Sequence, residues 1–345
     1  MSETLELNDD KKTRLNEVYG EILADSEARG AGNKFVRMSA RYKDGHWEKT
    51  IKKLGLFSRP LAGGTFMDFG CKFGHLTPLL TEFGVTKVFS VDVDEEHLRD
   101  GAAFIGSRFG SEYVMSDDCY LDVPSNSVDF ILVNEVISHI NPTLLPIFFQ
   151  ETARVLTVGG EMVISDGNNW SNKKTRDDLI DWYALWEAGS SKEFGESNYT
   201  KQRYVMIKNS FKDRRPRLTP EELDYYAKNT SGLWGARLIE TVRRALDEDR
   251  FTERPYRVGM PPIHPNYGVA MERAFYPEEV ELSLRTYGLM TEQVIGTTKP
   301  RALRTEEERG KYKNFVIRAT KLPETIEAMK QFAVDDPYTY EIAEG

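Results

Sequence analysis

The chain has 345 residues, of which 40% are apolar and 29% are charged. This composition is typical of globular proteins and excludes a disordered tail protein, a collagen-like repeat and a coiled coil. The 46 Lys and Arg residues stand against 55 Asp and Glu residues. The resulting net charge of −9 argues against a general nucleic-acid clamp, because such proteins carry a basic face.

The sequence carries no signal for a membrane segment or a disulfide framework. Its first residues, MSETLELNDDKKTR, are polar and acidic, and no stretch approaches the roughly 18 consecutive apolar residues that span a bilayer. The two cysteines, Cys71 and Cys119, are not in a CxxC pair, which disfavours a zinc site. We therefore expect a cytoplasmic protein with reduced thiols and no membrane partner.

Residues 1–60 are predicted to form a polar, helical amino-terminal segment. Its first helix carries an amphipathic stripe, and a loop at Gly30–Asn33 separates it from a second helix around Asp44–Leu54. We expect this segment to fold over a ligand as a lid or, alternatively, to cover an edge of the sheet. The side chains considered for the lid are Arg37, Tyr42, His46 and Trp47.

From Thr65 the sequence alternates short apolar strands with amphipathic helices. Strands are predicted at TFMDF, KVFSVDV, SEYVM, SVDFILVN and GEMVIS, with helices between them. This alternation predicts an α/β domain with a parallel sheet, helices on both faces and right-handed crossovers. It stops after Ser165 and resumes with a helix at PEEVELSLRTY and strands near LMTEQVI and KNFVIRAT.

Residues 167–276 contain no obvious strand and are predicted to be a large, mainly helical insertion after the fifth strand. Helices are expected at Asp177–Ala188, Pro220–Asn229 and Leu238–Asp247, the second of which has a good amino-terminal capping sequence. The α/β domain would then comprise residues 61–166 and 277–322. An acidic tail would occupy 323–345.

A glycine-rich turn follows the first strand. It reads Asp68-Phe69-Gly70-Cys71-Lys72-Phe73-Gly74. Glycines allow a ligand to approach the backbone, and the amides at a helix amino terminus attract a carboxylate or phosphate. The same DxGxxxG pattern also occurs in strand–helix turns that bind nothing, so the turn alone leaves both interpretations open.

Acidic residues follow the next two strands. Asp92 ends the second strand, 22 residues after Gly70, where a carboxylate suits a ribose diol. Asp117 and Asp118 end the third strand, where a carboxylate and a backbone amide could hold an adenine. The alternatives are a helix cap near Asp94 and a solvated loop. Because ligands of open α/β sheets bind beyond the carboxyl ends of the strands, the combination favours a nucleotide-like ligand.

This order of features resembles the class I S-adenosylmethionine-dependent methyltransferases, in particular the broad type-11 group. The similar segments are MDFGCKFG, VFSVDVD, VMSDDCYLDVPSNSVDFILVNEVISHI and ARVLTVGGEMVIS. They cover Thr65–Ser165 well, whereas Pro277–Thr320 is similar only loosely. The resemblance implies a Rossmann-like, seven-stranded, mostly parallel sheet whose last strand is antiparallel. It also implies methyltransferase activity with S-adenosyl-L-methionine as cofactor.

The resemblance implies roles for individual residues. The expected cofactor-binding residues are Asp68, Gly70, Cys71, Gly74, Asp92, Val93, Asp117, Asp118 and Asn134. Of these, Asp68 and Gly70 would lie near the amino-acid part of the cofactor and Asn134 beside its methionine chain. Asp92 would bind the ribose, and the acids after the third strand would lie near the adenine.

Lys72 is a departure from the family, in which the middle glycine of GCGxG stands at this position. We expect an ordinary backbone angle here, unless the Lys72 side chain itself contributes to the site. The dinucleotide fingerprint GxGxxG fits less well still, because position 72 is a lysine and position 75 is not a glycine. A nicotinamide-dependent enzyme is therefore disfavoured.

His139 is the best candidate for a catalytic base, with Glu135 close to it in the sequence. It follows the fourth strand, near the expected position of the transferable methyl group, and histidine accepts protons near neutral pH. A base is needed only if the acceptor must lose a proton, so the alternative is a structural role for His139. Some relatives bind a divalent metal in this region, but Ser138 replaces the second acidic residue, and we predict no metal site.

The insertion is expected to hold the methyl acceptor, which we predict to be a small molecule. It contains four of the five Trp and eight of the sixteen Tyr residues. Most of these form the core of the insertion in the simplest interpretation, while a few could line an acceptor pocket. The candidates are Trp170, Tyr199, Tyr204 and Tyr267. Asp166, Asn168 and Asn169 follow the fifth strand and would either orient a polar acceptor or cap the loop.

A basic run at 208–217, KNSFKDRRPR, leaves other functions to be weighed. A solvated face explains it most simply, whereas recruitment of an anionic acceptor is the alternative. A methyltransferase of protein or RNA would need an open basic groove, and a non-catalytic scaffold would lose the cofactor contacts. We therefore predict a small-molecule methyltransferase with nucleic acid disfavoured as a partner. The oligomeric state stays open, a homodimer included.

Overall fold

A single sheet of eight strands lies at the centre of the structure, a computed structural model that describes residues 7–116, 118–188, 198–295, 301–302 and 310–323. The strands are β1 Thr65–Phe69, β2 Lys87–Asp92, β3 Glu112–Met115, β4 Val128–Asn134, β5 Leu156–Asp166, β6 Leu289–Ile295, β7 Arg301–Ala302 and β8 Phe315–Lys321. Their spatial order is β3-β2-β1-β4-β5-β8-β6-β7.

The sheet is mostly parallel, as the alternation of strands and helices predicted. Strands β1 to β5 pair with one another in parallel, whereas β8 is antiparallel to both β5 and β6. The two-residue β7 pairs with β6 at the edge and makes eight strands where seven were predicted. The carboxyl ends of β1, β2, β4 and β5 therefore meet along one edge of the sheet.

Twelve α-helices are described. They are α1 Asp9–Ala28, α2 Asn33–Arg41, α3 Trp47–Leu54, α4 Thr77–Glu82, α5 Glu95–Gly101, α6 Ser107–Phe109, α7 Leu145–Val155, α8 Lys173–Ala188, α9 Tyr199–Ser210, α10 Pro220–Lys228, α11 Gly235–Glu248 and α12 Pro277–Thr286. Short π-helical turns at Tyr42–His46 and Ala102–Gly106 join neighbouring helices, and a 3₁₀ turn occupies Ile137–His139.

Two apolar cores lie on opposite faces of the sheet, because successive side chains of a strand point to opposite sides. Phe66 of β1 belongs to the core beneath the amino-terminal helices and α4. Its neighbour Met67 belongs to the core that α7 and α12 cover. Both residues are fully buried. This two-sided burial fixes the register of β1 and thereby the position of the turn that follows it.

The amino-terminal segment differs in detail from the prediction. A helix, α2, begins at Asn33, where a loop was predicted, and it buries Phe35 completely. The helical path is broken at Asp44 and Gly45, where the backbone of the glycine is left-handed with φ = 86°. Trp47 is buried and donates a hydrogen bond from Nε1 to Asn16 Oδ1 at 3.2 Å. The segment is thus packed into the core on one face of the sheet.

Between β5 and α12, residues 167–276 carry helices α8 to α11. The predicted capping sequence at Thr219 forms a capping box, in which the Thr219 and Glu222 side chains bond to each other's backbone amides. Helix α9 was not predicted, although Asn198 caps it by accepting a hydrogen bond from Lys201 N at 2.8 Å. Helices α9, α10 and α11 share a small apolar core of their own.

Candidate cofactor and acceptor site

The turn after β1 runs close against the end of β2. The amides of Gly70 and Cys71 both donate to Val91 O, at 2.8 and 2.9 Å. Gly70 has φ = +80°, and a Cβ at this position would lie 2.3 Å from a Val136 methyl group. Gly74 also has a positive φ, and its Cβ would lie 2.5 Å from the Tyr113 hydroxyl. Both glycines are therefore required by backbone angle and by space.

Lys72 contradicts the expectation of an ordinary backbone angle. Its φ is +53°, in the left-handed region that costs a residue with a side chain about 1–2 kcal/mol. The reason is a hydrogen bond, since the Lys72 amide points at Asp92 and donates to its Oδ2 at 2.7 Å. The Lys72 side chain is exposed.

Asp92 ends β2 and closes the turn. Its Oδ1 accepts hydrogen bonds from the amides of Val93 and Asp94, at 2.9 and 3.1 Å, and its Oδ2 accepts the one from Lys72. The helix-capping role weighed for Asp92 belongs to Asp94, which accepts from the first amides of α5. A carboxylate has about four acceptor positions, so Oδ2 keeps one for a ligand hydroxyl.

Asp68 lies beneath the glycine turn with its carboxylate unpaired. Across the described residues, no side chain or backbone group donates a hydrogen bond to it. Burial, and secondarily the charge of Asp92, raise the pKa of Asp68 to about 7. A half-buried carboxylate that is short of partners is a ready binding group for a cationic ligand.

The structure describes only one of the two acidic residues that were predicted to lie near the adenine. Asp117 lies outside the described residues. Asp118 is exposed, and its Oδ1 accepts a hydrogen bond from Tyr120 N at 3.0 Å, which closes a local turn. Apolar side chains are exposed at the ends of the neighbouring strands, with Val93 46% and Met115 48% accessible. Apolar surface is thus exposed at this end of the sheet.

Lys53 reaches the end of β4 from the amino-terminal segment. Its ammonium group donates a hydrogen bond to Asn134 Oδ1 and lies 3.9 Å from Glu135 Oε1. Burial lowers the pKa of Lys53, while the charges of Glu135 and Asp166 oppose this effect. Glu135 has a left-handed backbone (φ = 56°), and its Oε2 accepts from Gly167 N at 3.1 Å. The site thus contains a cation that sequence reasoning did not find.

His139 lies on the loop that follows β4. Its Nδ1 is 3.3 Å from the carbonyl oxygen of Ala270, and its Nε2 is 3.7 Å from Glu272 Oε1. The backbone of the same loop is bonded to the segment after α11, with Ala270 N donating to His139 O at 2.8 Å. About 40% of the His139 side chain is exposed. The ring of the candidate base is therefore held by neighbouring groups and is also accessible to solvent.

Three of the four aromatic candidates are tyrosines, and two of them pack on the His264 ring. Tyr199 is buried, packs on His264 with ring centres 5.1 Å apart and bonds to Met271 Sδ, next to Glu272. Tyr267 also packs on the His264 ring, with ring centres 4.6 Å apart, and is 75% exposed. Tyr204 instead packs against the core of helices α9 to α11.

Trp170 belongs to the backbone connection between β5 and α12. Its amide donates to Phe275 O at 2.8 Å, and its side chain is half-buried. Asn169 beside it is fully committed to the loop, since its side chain bonds to Tyr312 O and to the Ser171 amide. Both residues are thus bonded to the backbone of neighbouring segments.

Asp166 at the end of β5 is buried and caps the surrounding loops. Its Oδ2 accepts from Ser138 N and its Oδ1 from Asn168 N, both at 3.2 Å. Burial, reinforced by the charge of Glu135, raises the pKa of Asp166 to about 7. Of the two roles weighed for this group, the contacts of Asp166 show loop capping.

Part of the chain that forms this site matches a known protein family. Residues 67–164 match the sequence model of the family described as "Methyltransferase domain". The matched stretch contains the glycine turn, Asp92, the whole of β4 and β5 as far as Ile164. Residues 67–164 therefore form a methyltransferase domain. The cofactor of this methyltransferase is S-adenosyl-L-methionine, as the sequence predicted.

Solved structures similar to the methyltransferase have low identity. A Pyrococcus horikoshii protein is 22% identical over 43% of this chain, which spans 64% of that protein, with a TM-score of 0.33. An S-adenosylmethionine-dependent methyltransferase from Mesorhizobium loti is 17% identical over 81% of this chain and 99% of its own, with a TM-score of 0.42. A third structure is a Haloferax volcanii complex of the Trm112 methyltransferase activator with a putative methyltransferase. It is 13% identical over 90% of this chain and 99% of its own, with a TM-score of 0.45. No curated protein sequence matches the chain.

The surface of the methyltransferase carries the basic run 208–217 after α9. Four of its five cationic side chains are exposed, and Arg214 donates to Leu246 O at 3.4 Å. Among the described residues, no group of three or more His, Cys, Asp or Glu side chains is arranged to hold a metal ion. In the same part of the chain, none of the helices combines the length and apolar character needed to cross a membrane.

Proposed function

We propose that this methyltransferase transfers the methyl group of S-adenosylmethionine to a small molecule held between the ends of β4 and β5 and the segment 167–276. One observation carries the proposal. Residues 268–275 lie across the loop that follows β4, joined to it by hydrogen bonds from Ala270 N to His139 O, Arg273 N to Ser138 O and Asn141 Nδ2 to Gly268 O, each 2.8 Å. This cover restricts the space beside His139.

The residues around the glycine turn fit the cofactor. Asp68 binds its cationic amino group, because this carboxylate is desolvated and unpaired. Asp92 accepts a ribose hydroxyl through its remaining Oδ2 position. Val93 and Met115 supply an apolar surface for the adenine, with Asp117 and Asp118 at its edge. Gly70 and Gly74 shape the turn, and Cys71 contributes its backbone.

The methionine end of the cofactor lies beside β4 in this proposal. Asn134 and Lys53 form a polar pair there, and the Lys53 ammonium group binds the cofactor carboxylate. When bound, S-adenosylmethionine supplies an electrophilic methyl group on a sulfonium sulfur. The protein positions the acceptor for in-line displacement and excludes water.

The acceptor end is built around His139 and Glu135. His139 takes a proton from the acceptor. Glu135, on the same loop, adds negative charge that favours the protonated His139 ring. The buried Tyr199 packs on the His264 ring, and the exposed Tyr267, which packs on the same ring, forms a wall of the acceptor site. The segment 167–276 is the acceptor-recognition insertion of a methyltransferase domain formed by 61–166 and 277–322.

A fractionation experiment tests this proposal. The protein and S-adenosylmethionine are incubated with small metabolites, with RNA and with protein from the same extract, and S-adenosylhomocysteine is measured. We expect its release with the metabolite fraction only, and a Tyr267→Ala variant should raise KM for the acceptor. A Tyr225→Ala variant, which changes an exposed tyrosine on α10, is the control. Release with RNA or protein alone would contradict the proposal and assign a role to the basic run 208–217.

A further inference from the structure

The surroundings of His139 define which ring nitrogen is basic. The Ala270 carbonyl oxygen, 3.3 Å from Nδ1, can only accept a hydrogen bond, so it selects the tautomer with the proton on Nδ1. The lone pair of the neutral ring is then on Nε2. That nitrogen faces Glu272 Oε1 at 3.7 Å, within ion-pair range but beyond hydrogen-bond distance. Nε2 is therefore free to take a proton beside a carboxylate.

Glu272 is held in this position at some cost in backbone conformation. Its φ is +51°, in a region that glutamate rarely adopts. The Tyr183 hydroxyl donates to Glu272 O at 2.5 Å and accepts from Ala274 N at 3.0 Å, which fixes the backbone on both sides. Asn168 Nδ2 donates to Glu272 Oε2 at 2.7 Å and leaves Oε1 directed at His139.

We propose that Glu272 is a positioning residue for proton transfer, and that the acceptor carries a proton that is lost on methylation, on a hydroxyl or an ammonium group. This inference rests on the proposed function. Glu272 stabilises the imidazolium form of His139 as it forms. A thioether or a tertiary amine needs no such device, because its nucleophilic lone pair is already free.

The proton step balances with the residues named. The proton leaves the acceptor O–H or N–H bond for His139 Nε2 and later passes to solvent. The acceptor lone pair forms the new bond to the methyl carbon, and the carbon–sulfur bonding pair stays on sulfur. No oxidant, reductant or metal is consumed. The Glu272 carboxylate compensates the positive charge that appears on the ring.

The other charged groups near this loop have different partners. The Asp166 carboxylate accepts from the Ser138 amide, and Glu135 accepts from Gly167 N. The Arg273 guanidinium lies over the Phe275 ring at 4.8 Å, and Lys53 is paired with Asn134. Within the described ranges, Glu272 is the one carboxylate within 4 Å of a His139 ring nitrogen.

A nuclear magnetic resonance titration tests the coupling without an acceptor. The His139 ring signal is assigned by its loss in His139→Gln, and its midpoint is compared between wild type and Glu272→Gln. The Glu272 carboxylate lies 3.7 Å from Nε2, so loss of its charge should lower the midpoint. Glu221→Gln, an equal charge change on the exposed surface of α10, should leave the midpoint unchanged.

A second variant guards against misfolding of the first. Asn168→Ala releases Glu272 Oε2 and should lower the midpoint by a smaller amount. Equal midpoints in wild type, Glu272→Gln and Asn168→Ala would overturn the proposal. The acceptor class is tested by S-adenosylhomocysteine release with phenols, amines, thioethers and tertiary amines. Turnover confined to the last two would also overturn it.

The proposed function can fail separately. Calorimetric titration with S-adenosylmethionine should give the same affinity for wild type and Glu272→Gln, because Glu272 lies on the acceptor side. If the wild type bound no S-adenosylmethionine, the proposed function would be rejected whatever the ring titration showed. A Glu272→Gln variant with intact titration behaviour but lost cofactor affinity would instead place Glu272 in the cofactor site and contradict the inference.

Discussion

Replacing Asp68 by Asn tests the electrostatics of the cofactor site through protein stability. The Asp68 carboxylate has a pKa of about 7 in the folded protein, against 3.8 as its ordinary value, because it is buried without a partner. A raised carboxyl pKa means that ionisation destabilises the folded state. Asparagine resembles the protonated acid in shape and stays neutral. The variant should therefore become more stable than wild type as the pH rises.

The size of this effect follows from the two pKa values. One pKa unit corresponds to about 1.36 kcal/mol, so the raised pKa lowers the folding stability by about 2 kcal/mol at pH 5 and by about 4 kcal/mol at pH 8. The stability advantage of Asp68→Asn should grow by about 2–3 kcal/mol between these pH values. Below about pH 3, where the acid is protonated in both the folded and the unfolded state, the advantage should vanish.

Urea unfolding of both proteins at pH 5 and pH 8 measures this difference. The change in unfolding free energy between the two pH values is compared between the proteins, so any pH-independent effect of the amide cancels. The contribution of Asp166 also cancels, because this residue titrates in both proteins. In the same variant, affinity for S-adenosylmethionine should fall at least tenfold, because the amino group of the cofactor loses its carboxylate. An unfolding free-energy difference that is equal at pH 5 and pH 8 would refute the reasoning.

Three further predictions concern other parts of the molecule. Gly70→Ala should destabilise the fold by about 2–4 kcal/mol in urea unfolding, because its Cβ would lie 2.3 Å from a valine methyl group. The control Gly63→Ala has a positive φ but open space around the Cβ, and it should cost about 1 kcal/mol. Equal losses of stability in the two variants would contradict the packing argument. Glu187→Gln should cost about 3 kcal/mol or more, because it leaves the fully buried Arg203 guanidinium without its ion pair; a smaller loss would show that water reaches this pair. His139→Gln should lower turnover about 100-fold and leave S-adenosylmethionine affinity unchanged. Normal turnover would show that His139 has a structural role.

The sheet and the cofactor end of the site could be predicted because their signals are local in the sequence. Alternating apolar runs mark β1 to β5, and Asp92 follows β2 at a spacing that has a physical reason. Position 72 was predicted wrongly, since an ordinary angle was expected there. The Lys72 backbone is left-handed because its amide bonds to Asp92, a contact between residues 20 positions apart that no local pattern records.

The acceptor end depended on contacts between distant parts of the chain. Glu272 faces His139 across 133 positions of sequence, and Lys53 meets Asn134 across 81. Neither Glu272 nor Lys53 belongs to a sequence motif. Nothing in the sequence distinguishes them from the many other charged residues of the chain. A signal was available only for α9, whose cap at Asn198 is readable in the sequence.

Cofactor binding is the most direct test of the account. Calorimetric titration of the wild type should show one-to-one micromolar binding of S-adenosylmethionine and S-adenosylhomocysteine and none of NADH. Asp92→Asn, which removes a charged acceptor from the ribose, should weaken both affinities about tenfold or more while the protein stays folded. Absence of binding by the wild type, or binding of NADH instead, would contradict the assignment of the glycine turn and Asp92 to S-adenosylmethionine.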